Sequence, residues 1–164
     1  MVEMAGQYRR IAVLGVGNPL RMDDAAGMKV IDILETLQHP EGIEFLLYRG
    51  EMAPENFAPA IVRDRPDVVI IVDAAIMSLQ PGEYRIIPED SIVVDQISTH
   101  SMPPRILIEY LRENLGHDMI FLIGINPGRI DFGTEISPEV MKGVESLARK
   151  INNLEFESIP VLEE

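Results

Sequence analysis

The sequence predicts an α/β fold, a three-layer α/β/α sandwich built on a mixed sheet, and three observations predict it. Short apolar runs alternate with helical segments along most of the 164 residues, the order that joins parallel strands through crossover helices. The runs Ile11–Leu14 and Val68–Val72 are apolar without alternation, as strands buried on both faces require. The connection from Asp73 to Glu83 is shorter than the roughly dozen residues a crossover needs. The strand Glu83–Ile87 therefore runs antiparallel, and its mixture of charged, aromatic and apolar residues suits a half-exposed position.

The elements follow in order. Ile11–Leu14 leads into Gly15-Val16-Gly17-Asn18-Pro19, a glycine turn in which Pro19 pushes Asn18 out of the α region. Asp23 and Asp24 stand where the first helix, Ala25–Leu37, begins, and one of them suits its N-cap. Met28, Ile31 and Leu34 carry the apolar stripe of that helix, and Gly27 lets it lie close to the sheet. Ile43–Tyr48 is the second strand, and 50–56 reads as a loop into a short helix, Pro54–Arg63. Asp67–Asp73 is the third strand. After the antiparallel strand, Glu89–Met102 has weak structural signals, the kind of stretch that often carries function in a compact domain. Pro103–Asn114 is a helix stopped by Gly116, and Met119–Ile125 the last strand. Ser137-Pro138-Glu139 opens a final helix with a cap, a proline at its first position and an acid in its first turn. A single domain spans 1–164, its core about 10–155, and 157–164 reads as a loose tail.

Composition excludes several functions. A net charge of −13 opposes a nucleic-acid partner and an anionic membrane surface. The absence of cysteine excludes disulfides, thiolate nucleophiles and thiolate metal ligands. Met1–Arg10 lacks the apolar stretch of a signal peptide, and no run approaches a membrane span; the expected location is the cytoplasm. The dinucleotide pattern Gly-x-Gly-x-x-Gly fails at Leu20, and no Walker loop, Gly-x-Ser-x-Gly elbow or His-Glu-x-x-His helix occurs.

Chemistry has few carriers. Ligands of such sheets sit beyond the carboxyl ends of parallel strands. Asp23 and Asp24 follow the first strand, Asp73 ends the third, and His100 lies in a segment whose path can return to the same edge. Carboxylate and imidazole together suit a divalent transition metal. Each residue also has a plainer reading, as a cap or a loop hydrogen bonder. His39 reads as a partner of a helix C-terminus, and His117 as a solvated loop residue.

These stretches together resemble the nickel–iron hydrogenase maturation proteases. The resemblance rests on 15–27 with its Gly-x-Gly-Asn-Pro and paired aspartates, on Ala53-Pro54-Glu55-Asn56, on Val72-Asp73-Ala74 and on Thr99-His100-Ser101-Met102-Pro103. It covers roughly 10–155 and is strongest toward the hydrogenase 3 type. The resemblance implies a five-stranded mixed sheet of the phosphorylase/hydrolase-like kind. It also implies an endopeptidase that removes the C-terminal extension of a hydrogenase large-subunit precursor after nickel insertion. Its metal-facing and catalytic residues map onto Asp24, Asp73 and His100. Nickel is then supplied by the precursor, and no cofactor is permanently bound. Asp23 becomes the helix cap, and Gly15 and Gly17 a turn that admits a bulky, metal-loaded partner. Met22 and Ala25 stand where similar members often have glycine. Two other readings use the same residues: a non-catalytic module sensing a metal-loaded partner, and a small-molecule metallohydrolase.

Overall fold

A computed structural model describes residues 8–91 and 103–163. Five strands form one sheet in the order β2-β1-β3-β5-β4. They are β1 (Arg10–Val16), β2 (Glu44–Glu51), β3 (Val68–Ala74), β4 (Tyr84–Ile86) and β5 (Ile120–Ile125). The pairs β1–β2, β1–β3 and β3–β5 are parallel, and β4 runs antiparallel to β5 at the sheet's edge. The short link from β3 imposes that reversal, as the sequence predicts.

Among the described residues, four α-helices cover the two faces: α1 (Ala26–Thr36), α2 (Ala58–Asp64), α3 (Pro104–Leu115) and α4 (Pro138–Asn152). The alternation of side chains along each strand divides the core. Ile11 and Val13 of β1 face α1 and α4, where Val30, Ile31, Leu34, Val144 and Leu147 pack. Ala12, Leu14 and Val16 face α2 and α3, where Ile61, Leu107 and Leu111 pack. The central strand β3 is buried along its whole length, which is why it reads as an unbroken apolar run. Gly27 sits where any Cβ would overlap the Val72 carbonyl oxygen, so its lack of a side chain brings α1 onto the sheet. Gly17, at φ 143°, has no room for a Cβ beside the Asp24 carbonyl. Gly15 likewise has no room for a Cβ beside the Gly27 carbonyl oxygen, so both turn glycines serve the chain's own close packing.

Other expectations are corrected too. β2 continues through Gly50 and Glu51, because Val16 pairs with Glu51 across a bulge. The segment after Glu155 is docked: Phe156 and Ile159 are buried, the Ile86 N–H donates to the Pro160 carbonyl, and the Leu162 N–H donates to the Ile86 carbonyl. Burying a phenyl ring stabilises by about 2–3 kcal/mol, enough to hold a short tail. His39 stacks on Phe45, and its Nδ1 lies 2.6 Å from Asn152 Oδ1. Because Asn152 Nδ2 donates to the Gln38 carbonyl, that Oδ1 accepts the imidazole proton. His39 thus ties the end of α1 to the end of α4. His117 is not a solvated loop residue: its Nδ1 accepts the Met119 N–H and its Nε2 donates to the Pro66 carbonyl at 3.0 Å, joining the starts of β3 and β5.

The sharpest correction concerns Asp23. It is fully buried and caps no helix of its own: the N-cap positions of the 3-10 turn Met22–Ala25 and of α1 carry no side-chain bond. Its carboxylate instead accepts the N–H groups of Gly128 (2.9 Å), Arg129 (2.7 Å) and Ser137 (2.7 Å), and the Ser137 hydroxyl (2.6 Å). Ser137 therefore spends its hydroxyl on Asp23 and not on the first turn of α4. Backbone bonds add to the seam: Asp23 N–H to Arg129 O, Met22 N–H to Gly133 O, and Gly133 N–H to Leu20 O. The loop 126–137 is fastened to the turn that carries Asp24.

On the opposite side of the sheet Tyr48 of β2 donates to Asp64 at the end of α2, at 2.6 Å. That hydrogen bond, with Arg63 alongside and desolvation opposing, holds the Asp64 carboxyl below its ordinary 3.8. A lowered carboxyl pKa contributes stability above 3.8 that is lost as pH falls through the lowered value. Tyr48→Phe is expected to return the Asp64 titration toward 3.8, read by carbon NMR of the carboxyl resonances; an unmoved midpoint refutes the assignment. Asp23→Ala leaves three backbone N–H groups without their acceptor. Because Gly128 and Arg129 are exposed and water can reach them, the change is expected to cost about 2–3 kcal/mol in urea unfolding. Amide exchange at Gly128, Arg129 and Ser137 should quicken; unchanged protection there would refute the anchoring role.

Candidate active site

The strand order places the site. The chain leaves β1 for β2 on one side, then returns past β1 to β3 on the other. The helix after β1 covers one face, and the chain beyond β3 reaches the other face through α3. Between β1 and β3 the order reverses, and such reversals open a crevice beyond the carboxyl ends of the strands. Asp24 follows β1 and Asp73 lies in the last turn of β3. Because β1 and β3 are paired neighbours, with Gly15 opposite Val72, the two aspartates share that crevice edge.

Asp24 is held by its own turn. Its N–H donates to the Arg21 carbonyl, and its Oδ2 accepts the Asn18 N–H at 2.9 Å. Asn18 in turn accepts the Leu20 N–H on its side-chain oxygen, so the asparagine-proline turn orients the carboxylate from behind. The other oxygen, Oδ1, accepts no hydrogen bond among the described residues, and the residue keeps 7% of its surface exposed. A carboxylate fixed through one oxygen by a backbone N–H is suited to ligating a cation or carrying a proton. Met22, two residues earlier, has φ 50°, a left-handed conformation that costs a side-chain-bearing residue about 1 kcal/mol. A glycine would adopt that conformation without the cost. The two cross-chain bonds of Met22 and Gly133 hold it there.

Asp73 is 2% exposed and lines a small cavity of about 10 Å³ with Val16, Pro54, Glu55, Leu107 and Pro104. Glu55 is the acid that sequence reasoning did not single out. It lies in the 3-10 turn Pro54–Phe57 after β2, so strands β2, β1 and β3 each deliver one carboxylate to the same edge. Its signal was present in Ala53-Pro54-Glu55-Asn56, where a proline sets the turn and an acid follows it. Beyond Glu55 a wider groove of about 280 Å³ runs between α2 and α3, lined by Ala58, Pro59, Ile106 and Tyr110. His100 lies outside the described residues, between the end of β4 and the start of α3. Among the described residues, no cluster of three His, Cys, Asp or Glu side chains is arranged to hold a metal ion, and no helix is long and apolar enough to cross a membrane.

Comparison with known proteins agrees with this geometry. The family model HycI, hydrogenase maturation protease, matches residues 28–154. The hydrogenase 3 maturation protease of Escherichia coli is 36% identical over 144 residues, covering 87% of this chain and 89% of that protein. A crystal structure of a hydrogenase 3 maturation protease superposes with a TM-score of 0.83 at 30% identity, covering 94% of this chain and 97% of that one. The [NiFe] hydrogenase maturation protease HycI of Thermococcus kodakarensis gives a TM-score of 0.79 at 31% identity, covering 95% and 99%. The five-stranded mixed sheet and the sequence motifs thus lead to the same place: the chain belongs to the hydrogenase maturation protease family, whose chemistry is the cleavage of peptide bonds in hydrogenase processing.

Proposed function

We propose that this protein removes the C-terminal extension of a nickel–iron hydrogenase large-subunit precursor once nickel is in place, and that it recognises the nickel itself. The observation that carries the reading is the strand order, which reverses between the paired strands β1 and β3, so that the turn carrying Asp24 and the end of β3 carrying Asp73 lie at one edge of the sheet. The metal arrives with the precursor and is no resident cofactor of the protease. Asp24 and Asp73, with His100 as the third ligand, complete the coordination of a nickel ion already held by the precursor. Carboxylate oxygens and an imidazole suit such a borderline metal.

Docking through the metal has two effects. It makes cleavage conditional on metal insertion, because an empty precursor lacks the bond that brings it to the site. It also holds the scissile bond against the carboxylates, and such proximity lowers the barrier by several kcal/mol. Hydrolysis then adds water across the bond. The water oxygen bonds to the carbonyl carbon, the C–N bond breaks, and a proton from the water ends on the leaving amine. A carboxylate oriented by a single backbone N–H, as at Asp24, can carry that proton. Family membership favours this enzymatic reading over a non-cutting metal sensor, and the protein substrate favours it over a small-molecule metallohydrolase.

The test follows precursor mass with time. Nickel-loaded precursor is expected to be cut and nickel-free precursor left whole; equal cleavage of both would sink nickel recognition. Asp24→Ala, Asp73→Ala and His100→Ala are each expected to slow cleavage by about a hundredfold or more, with circular dichroism unchanged. Full cleavage by any of them removes that residue from the site.

A further inference from the structure

The large apolar side chains left on the surface are unevenly placed. Leu20, Met52, Ile76 and Phe132 are each more than half exposed. They sit in the loops after β1, β2, β3 and β5 respectively, all at the sheet edge that carries Asp24 and Asp73. Leu20 is four residues before Asp24, Met52 three before Glu55, and Ile76 three after Asp73. Among the described residues, the other exposed large hydrophobic residues are Ile106 and Tyr110 on α3 and Val161 in the docked tail. Single exposed apolar side chains are ordinary, but a set gathered around one site marks an interaction surface.

Phe132 makes the case strongest. It is 85% exposed, yet its backbone is not free to move. Its neighbour Gly133 donates to Leu20 O and accepts from Met22 N–H, and Asp23 grips Gly128, Arg129 and Ser137 on either side of it. The same seam sets Leu20 and Phe132 on adjacent strands of backbone. An aromatic ring held out into water by a pinned backbone is preorganised for burial in a partner, because little entropy remains to be lost on binding.

We propose that Leu20, Met52, Ile76 and Phe132 form an apolar rim that docks the folded body of the protein substrate around the root of its cleavable extension. The proposal rests on the processing function above and names the surface that serves it. A ring drawn from loops after four adjacent strands spans roughly 15 Å at the usual strand spacing. That breadth fits a patch on a folded protein better than a single extended peptide. The net charge of −13 selects among occupants: a second copy and an anionic bilayer are both repelled, and an apolar patch flanked by basic residues is favoured.

The experiment is steady-state cleavage of nickel-loaded precursor by the full chain and by Leu20→Ser, Met52→Ser, Ile76→Ser and Phe132→Ser, with Val161→Ser as an exposed apolar control away from the rim. Phe132→Ser is expected to raise KM about tenfold or more with kcat within about threefold, each other rim variant to raise KM to a smaller extent, and the control to leave both unchanged. Unchanged KM in all four rim variants overturns the rim. A fall in kcat with KM unmoved overturns it too, as does loss of a sedimenting dimer on Phe132→Ser with KM unmoved, which would make the face a self-interface. Failure of the wild-type protein to cut nickel-loaded precursor is a different result: it refutes the processing function, and the rim falls with it.

Discussion

A carboxylate taken fully out of water is costly unless donors replace the lost hydration. Asp23 meets that demand with three backbone N–H groups and one hydroxyl, all from a segment more than a hundred residues along the chain. The consequence reaches well beyond one residue. The bonds fasten the loop between β5 and α4 to the turn after β1, and that turn carries Asp24. Beside them, the backbone bonds between 20–22 and Gly133 hold Met22 in a left-handed conformation that it would not choose. One buried carboxylate thus fixes the geometry of the turn that carries Asp24, the residue proposed for the chemistry, through bonds made on the far side of that turn.

The strands were legible because burial on both faces leaves no room for polar residues, so Val68–Val72 and Ile11–Leu14 stand out as unbroken apolar runs. The reversal of β4 was legible from the length of one connection. The common edge of Asp24 and Asp73 followed from the rule that ligands lie beyond the carboxyl ends of parallel strands. What stayed hidden depends on partners distant in sequence. Two adjacent aspartates look alike until one is seen to accept from Gly128 and the other from Asn18. Glu55 stands in a stretch the sequence marks, Ala53-Pro54-Glu55-Asn56, but its place beside Asp73 depends on how β2 and β3 are arranged in the sheet. The docking of Phe156 was hidden because it stands among glutamates, without the periodicity that marks a helix or strand. His100, the third member of the expected set, is outside the described residues.

The division of labour between the faces and the edge is physical. Packing on both faces of the sheet supplies stability, and the glycines at 17 and 27 remove side chains where helix, turn and strand approach most closely. The edge is thereby freed for groups that stability alone would not choose: carboxylates gathered at one crevice, a strained methionine, and apolar side chains standing in water. Loops carry such groups well when a rigid scaffold sets their positions, and here the scaffold does so from both ends of the sequence.

The docked tail has a consequence of a different kind. A sheet's outermost strand offers unpaired amide and carbonyl groups that invite another molecule to add a strand, the first step of edge-to-edge aggregation. The backbone at Pro160 and Leu162 occupies those groups on Ile86. Pro160 has no N–H of its own to offer the next comer. Residues 160–162 therefore act as a seal on an otherwise reactive border, and prising them off Ile86 would expose a template for polymerisation.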